Sequence, residues 1–160
     1  MQIIFPNLTD LKLFSIGVEK IWSNQLIELS QHIQKLTTLI VDGCGNLKYL
    51  FTSSMIKSVA QLKKLEISNC KSMEEVIAAQ ELGGETVGNF LFLKLEFLKI
   101  KCLPKLMRFC TVNFIEFPSL KVLCLESCHR LKRFIADSMS SNEALLNYAL
   151  FDQKVTCFFY

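Results

Sequence analysis

Two stretches of this chain, LKKLEISNC at residues 62–70 and LKVLCLESC at residues 120–128, share one nine-residue frame. Leucine stands at the first and fourth positions, isoleucine or leucine at the sixth, and cysteine at the ninth. Three further copies keep these positions apolar, with valine also allowed at the sixth. A frame that recurs every 25 to 33 residues indicates a chain built from structural repeats. The copies begin at Leu8, Leu36, Leu62, Leu95 and Leu120.

The spacing within the frame predicts a strand. The fourth and sixth positions are two residues apart, so their side chains point to the same side of an extended chain. One strand and its return segment cannot bury that side alone, whereas stacked copies join the apolar rows into a continuous core. The frame is that of leucine-rich repeats. It predicts an α/β solenoid over residues 5–137, with a curved parallel sheet on the concave side and short helices or irregular segments on the convex side.

The last part of the chain, residues 138–160, does not follow the frame and is predicted to be a non-repeat tail. Residues 143–151 could form a helix there, and neither end shows a polar cap of the kind that protects a solenoid edge. We therefore expect the chain to be a piece of a longer array or the product of a truncated gene.

Cysteine fills the ninth position in three repeats, at Cys44, Cys70 and Cys128. A small side chain that can bond to the backbone suits the point where the chain turns inward after the strand. The total of seven cysteines is odd and contains no C-x-x-C pair, so we expect free, mostly buried thiols in a reducing compartment. The scattered cysteines and two histidines predict no metal site.

The return segments differ between repeats. Residues 52–61 begin with Thr and Ser and place Met55, Ile56 and Val59 on one side, which predicts a short convex helix. Residues 23–35 are predicted to hold a second helix, and the glycine-rich residues 81–88 a loop.

A Phe-Pro-x-Leu sequence leads into the first and fifth repeats, at residues 5–8 and 117–120. Proline lacks the backbone donor that an interior strand needs, and so it suits the residue just before the strand. We expect the phenylalanine to cover the bottom of the core.

Composition excludes several classes of function. The net charge is only +3, too small to favour nucleic-acid binding. No apolar run is long enough to cross a membrane, and the first residues do not form a secretory signal. No G-x-x-x-x-G-K-[S/T] phosphate-binding loop is present, and we expect no cofactor.

Catalysis has little support in the sequence. Cys128 precedes His129, but the alternation points the cysteine into the core and leaves the histidine in the following turn. His32 lies alone in a return segment, and the adjacent Glu74 and Glu75 are predicted to be solvated charges. The chain is therefore predicted not to be an enzyme.

The candidate binding residues are those at the third, fifth and seventh positions, which point away from the core and form three rows when repeats stack. Phe14, Ile40 and Phe97 among charged residues resemble an interface core with a polar rim, and Lys64, Lys99 and Lys101 form a modest basic patch with Glu66 beside it. The alternative is that these are ordinary solvent-facing strand residues with no partner of their own. The rows are Asp10, Thr38, Lys64, Phe97, Val122; Lys12, Ile40, Glu66, Lys99, Cys124; and Phe14, Asp42, Ser68, Lys101, Glu126.

Several stretches resemble one family. Residues 65–77 (LEISNCKSMEEVI), 103–106 (LPKL) and 115–121 (IEFPSLK) are similar to the repeats of plant disease resistance proteins. These are intracellular immune receptors with a coiled coil, a nucleotide-binding module and C-terminal leucine-rich repeats. The resemblance covers about residues 5–137 and includes an apolar pair after the ninth position, such as Leu47 and Leu50 after Cys44.

The resemblance implies a cytoplasmic, protein-binding recognition fragment. Its partner would be a pathogen effector, a guarded host protein, or the nucleotide-binding module of a longer receptor. An alternative is the substrate adaptor of a ubiquitin ligase, whose repeats also favour cysteine at the ninth position but follow an F-box-like helical segment. An extracellular receptor ectodomain would show a signal sequence, paired capping cysteines and several glycosylation sites. The sequence does not identify the ligand, because recognition in this architecture depends on variable surface residues.

Overall fold

A computed structural model of the protein describes residues 7–22, 33–79, 90–110, 115–131 and 156–159. Its strands are β1 (Asp10–Phe14), β2 (Thr38–Asp42), β3 (Phe51–Thr52), β4 (Lys64–Ser68), β5 (Glu75–Ala78), β6 (Phe90–Leu91), β7 (Phe97–Lys101), β8 (Arg108–Cys110), β9 (Ile115–Glu116), β10 (Val122–Glu126) and β11 (Thr156–Phe159).

The main sheet is parallel and follows the order of the repeats, β1-β2-β4-β7-β10, with β11 added at its end. Each of the five repeat strands (β1, β2, β4, β7 and β10) covers positions three to seven of its frame. Each position lies beside the same position of the next repeat. The predicted leucine-rich repeat solenoid is confirmed.

The core lies on one side of this sheet. In β2, β4 and β7 the fourth and sixth positions are fully buried, because another strand covers them on either side. The equivalent Leu11 and Leu13 of β1 are only half-buried, since β1 is the edge strand of the sheet.

The ninth-position cysteines close the turn from inside, as predicted. The Cys70 thiol donates a hydrogen bond to the Ser68 carbonyl at 3.2 Å, and the Cys128 thiol donates to the Glu126 carbonyl at 3.3 Å. Burial raises the pKa of Cys70 to about 11, so its thiol keeps the proton that it donates.

The eighth position turns the chain in every repeat, a feature that the frame did not predict. All five residues there have a positive φ, between 52° and 68°. In the first four repeats the backbone N–H of this residue continues the ladder: that of Ser15 donates to the Asp42 carbonyl at 2.8 Å, and that of Asn69 to the Lys101 carbonyl at 3.1 Å. Glycine and asparagine tolerate this conformation best. The residues are Ser15, Gly43, Asn69, Cys102 and Ser127.

The convex side differs in part from the prediction. Its described segments form a 3-10 helix over Ser53–Val59 and two small parallel sheets, β3-β5-β8 and β6-β9. Met55, Ile56 and Val59 are buried as expected, and Thr52, the residue before the helix, makes no side-chain cap hydrogen bond. Its hydroxyl instead lies 3.1 Å from that of Ser54.

Phenylalanine covers the core below the main sheet. Phe117 is fully buried, as its Phe-Pro-x-Leu sequence predicts, and its ring stacks on Phe92 with a centroid distance of 5.4 Å. Phe109 meets both rings edge-on. The equivalent Phe5 lies outside the described residues, as do the predicted loop at 81–88, the tail helix at 143–151 and most of the predicted helix at 23–35.

The tail adds a strand that the sequence did not predict. β11 lies parallel to β10, with Thr156 beside Val122 and Phe159 beside Leu125. It therefore occupies the place that the strand of a further repeat would take.

Candidate interaction surface

The outward side chains of the five repeat strands form one surface, here called the strand face. It consists of the third, fifth and seventh positions of β1, β2, β4, β7 and β10. The register brings all fifteen predicted residues together in three continuous rows. The rows are Asp10, Thr38, Lys64, Phe97, Val122; Lys12, Ile40, Glu66, Lys99, Cys124; and Phe14, Asp42, Ser68, Lys101, Glu126.

Exposure varies along the strand face. Asp10, Lys12 and Phe14 of the edge strand are exposed, and Phe14 keeps 59% of its surface accessible. The residues of the other four strands are half-buried, because neighbouring side chains in the same row cover their flanks. These side chains are accessible without being part of the core.

The predicted basic patch is largely neutralised. Lys64 Nζ lies 2.9 Å from a Glu66 carboxylate oxygen, and Lys101 Nζ lies 2.9 Å from that of Glu126. Within the described residues only Lys99 of the three predicted lysines has no carboxylate in ion-pair range. Two of the three lysines are therefore paired with a carboxylate, which favours specificity over general attraction to anions.

The predicted apolar centre is divided. Phe14 and Ile40 are diagonal neighbours on adjacent parallel strands. Phe97 lies two strands from Ile40, beside Lys64 and Val122. The Lys64 ammonium lies 5.3 Å from the centroid of the Phe97 ring, which is a cation–π contact.

Hydrogen bonds fix the charges at the end of the strands. Asp42 accepts hydrogen bonds from Asn69 at 2.7 Å and Ser68 at 2.8 Å, and these bonds lower the pKa of its carboxyl group. The hydrogen bond and charge of Glu126 raise the pKa of Lys101. Both groups are therefore charged at neutral pH and held in defined positions.

The Cys128–His129 pair lacks the properties of a nucleophile and base. Burial raises the pKa of Cys128, which disfavours the thiolate that catalysis needs. His129 is exposed in the turn, as predicted. The prediction for Glu75 is wrong, because it is half-buried in β5 and its carboxylate lies 3.3 Å from Arg108 Nε; Glu74 is exposed, and His32 lies outside the described residues.

Among the described residues, Cys44, Cys70, Cys102, Cys124 and Cys128 are free thiols. In the same part of the chain, no three histidine, cysteine or acidic side chains converge on a metal position. No helix within the described residues has the length and apolar character needed to cross a membrane.

Comparison with known proteins identifies the family. Residues 7–148 match the family model described as plant disease resistance protein RPS2-like, leucine-rich repeats. The chain is 32% identical over 130 residues to "Probable disease resistance protein At4g27220" of Arabidopsis thaliana, an alignment that covers 81% of this chain and 14% of that protein. No solved structure matches the chain. The resemblance to plant disease resistance repeats is confirmed, and the chain belongs to the leucine-rich repeats of RPS2-like plant disease resistance proteins.

Proposed function

We propose that this chain is a protein recognition module from the repeat region of an intracellular plant immune receptor that acts in defence against pathogens. The observation that carries the proposal is the strand face of a disease resistance repeat: fifteen outward side chains in register on five parallel strands. The module is non-enzymatic and acts in the cytoplasm.

The division of labour within each strand supports this function. Alternate residues such as Leu98 and Ile100 are fully buried, whereas their neighbours Phe97, Lys99 and Lys101 are accessible. The accessible positions can vary in sequence without loss of core packing, so the same solenoid can present different surfaces. The mixture of aromatic rings, an aliphatic side chain and ordered charges is typical of protein interfaces.

The proposed partner is a pathogen effector, a guarded host protein, or the nucleotide-binding module of a longer receptor. The chain corresponds to 14% of its Arabidopsis relative, so the third partner would belong to the same polypeptide as the repeats. The family match supports this proposal over the substrate adaptor of a ubiquitin ligase.

The proposal is tested by comparing the proteins that co-purify from plant leaf cells with three tagged forms of the chain. These are the unmodified chain, a strand-face variant (Phe14→Ser, Phe97→Ser, Lys99→Ser) and a control variant (Leu93→Ser, Met107→Ser, Lys57→Ser). Each variant replaces two accessible apolar residues and one lysine, but the control residues lie off the strand face.

Quantitative mass spectrometry should find proteins that the unmodified chain and the control variant retain and the strand-face variant loses. Circular dichroism must first show that all three forms fold. An identical set of proteins for all three, or equal losses in both variants, would overturn the proposal.

A further inference from the structure

A second surface lies at the end of the strands, along the turns of the third, fourth and fifth repeats. There the turns form an open groove of about 640 Å³, here called the turn groove. Its lining comes from the eighth, tenth and eleventh positions of the frame. The eighth-position residues Asn69, Cys102 and Ser127 contribute, and their positive φ values bend the chain away from the strand. The groove is thus built by the repeat and is separate from the strand face.

The turn groove carries three cations without matching acids. Lys71, Lys105 and Arg130 line it, and all three are exposed. Its lining contains no carboxylate, and no described carboxylate lies within ion-pair distance of these three groups. The strand face is different, because Lys64 and Lys101 each have a carboxylate partner there.

Stacking of the repeats places like charges on neighbouring turns of the chain. Neighbouring parallel strands are about 4.8 Å apart, so cations on successive turns come close to one another and repel. An anionic ligand would remove this repulsion, and the Arg130 guanidinium can hold a carboxylate by two parallel hydrogen bonds. His129 in the same lining gives a further donor.

The shape of the turn groove favours an extended peptide over a small enclosed anion. It crosses three repeats, a span of about 10 Å, which equals about three residues of extended chain. Acidic side chains at alternate residues of such a peptide would lie on one side and face the cations together. The groove is open to solvent, and the Ser127 hydroxyl in its lining can hydrogen-bond to the backbone of the ligand.

We propose that the turn groove binds an extended acidic segment of a partner protein. This interaction does not depend on the strand face and would hold a partner by a second point of contact. Because the cations are exposed, the attraction falls steeply with salt and contributes to the rate of association.

The test uses the full chain and a short fluorescein-labelled glutamate peptide, with a glutamine peptide of the same length for comparison. The groove variant is Lys71→Ser, Lys105→Ser, Arg130→Ser. The control variant is Lys48→Ser, Lys57→Ser, Lys63→Ser, which removes the same charge from exposed lysines outside the groove. Fluorescence anisotropy gives Kd for each form at low and high salt.

The unmodified chain and the control variant should bind the glutamate peptide with similar Kd, and the groove variant about tenfold more weakly. High salt should weaken binding, and the glutamine peptide should not bind. Equal Kd for the groove variant, or equal weakening in the control, would overturn the proposal, since binding would then reflect net charge or another surface. The proposal would also be overturned if the chain bound inorganic tripolyphosphate but did not bind the glutamate peptide.

Discussion

At the scale of single residues, two adjacent positions of the frame form the turn after each strand. The eighth residue adopts a positive φ, and the ninth turns inward, where cysteine bonds to the backbone. Gly43 is the one glycine among the five eighth-position residues. It has a φ of 68°, and a Cβ added there would lie 3.0 Å from Ser15 Oγ.

The inward cysteine could be predicted from the sequence, but the left-handed turn could not. Gly43 and Asn69 are residue types that favour positive φ. Ser15, Cys102 and Ser127 are not, so no common residue type marks the eighth position in the sequence. The ion pairs of the strand face were also missed, because a frame gives the side on which a residue lies and not the rotamer that brings Lys101 to Glu126.

The buried thiol of Cys70 predicts a pH-dependent stability. Burial raises its pKa in the folded state from 9.0 to about 11, so the folded state keeps a proton that the unfolded state loses above pH 9. The contribution of the Cys70 thiol to the unfolding free energy is therefore fully present below pH 9. It falls by roughly 2 kcal/mol as the pH rises towards 11.

Urea denaturation of the unmodified chain and of Cys70→Ala, across this pH range, measures the effect. The difference in unfolding free energy between the two should shrink as the pH rises, while other titrating groups cancel. A constant difference would show that the Cys70 thiol ionises alike in both states.

At the scale of elements, the five repeat strands of the main sheet could be predicted, and the convex side only in part. Each of these five strands follows a strict alternation of inward and outward residues over five positions. β3 has two residues and β8 three, too few for a periodic signal. These short strands form because the stacked repeats place identical segments side by side, which is a tertiary effect.

The 3-10 helix supports a prediction about the residue before it and a buried residue within it. Thr52 makes no cap hydrogen bond, so Thr52→Ala should change the unfolding free energy by less than about 0.5 kcal/mol, against about 1 kcal/mol for a true cap. Met55 is 5% exposed, and Met55→Ala should cost about 2–3 kcal/mol. Thermal denaturation followed by circular dichroism would separate the two, and a loss at Thr52 as large as that at Met55 would contradict this description of the helix.

At the scale of the whole molecule, each repeat is completed by its neighbours. The second, third and fourth repeats are covered on both sides, and their core positions are fully buried. The two ends differ: among the described residues no strand lies beyond β1, whereas β11 covers β10 at the other edge. The stacking order and register of the repeats could be predicted because a repeated frame allows only one alignment. The pairing of β11 with β10 could not be predicted, because β11 does not follow the frame.

The role of β11 can be measured by removing residues 155–160. The deletion uncovers the β10 edge, and an unpaired strand edge favours association with another chain. Light scattering after size-exclusion chromatography should show more oligomer, with a lower Tm. A shortened chain that stays as monomeric and as stable as the full chain would mean that β11 does not protect the edge.

The repeat frame separates the inward residues that stabilise the solenoid from the outward residues that can bind a partner protein. The measurement that tests this separation most directly is urea denaturation of four variants: Leu65→Ala and Leu123→Ala from the core, and Phe97→Ala and Lys99→Ala from the strand face. The two leucines are fully buried, and their loss should cost about 2–5 kcal/mol each. The two strand-face variants should stay within about 1 kcal/mol of the unmodified chain. Equal losses in both pairs would contradict the assignment of inward and outward positions, and with it the proposed recognition surface.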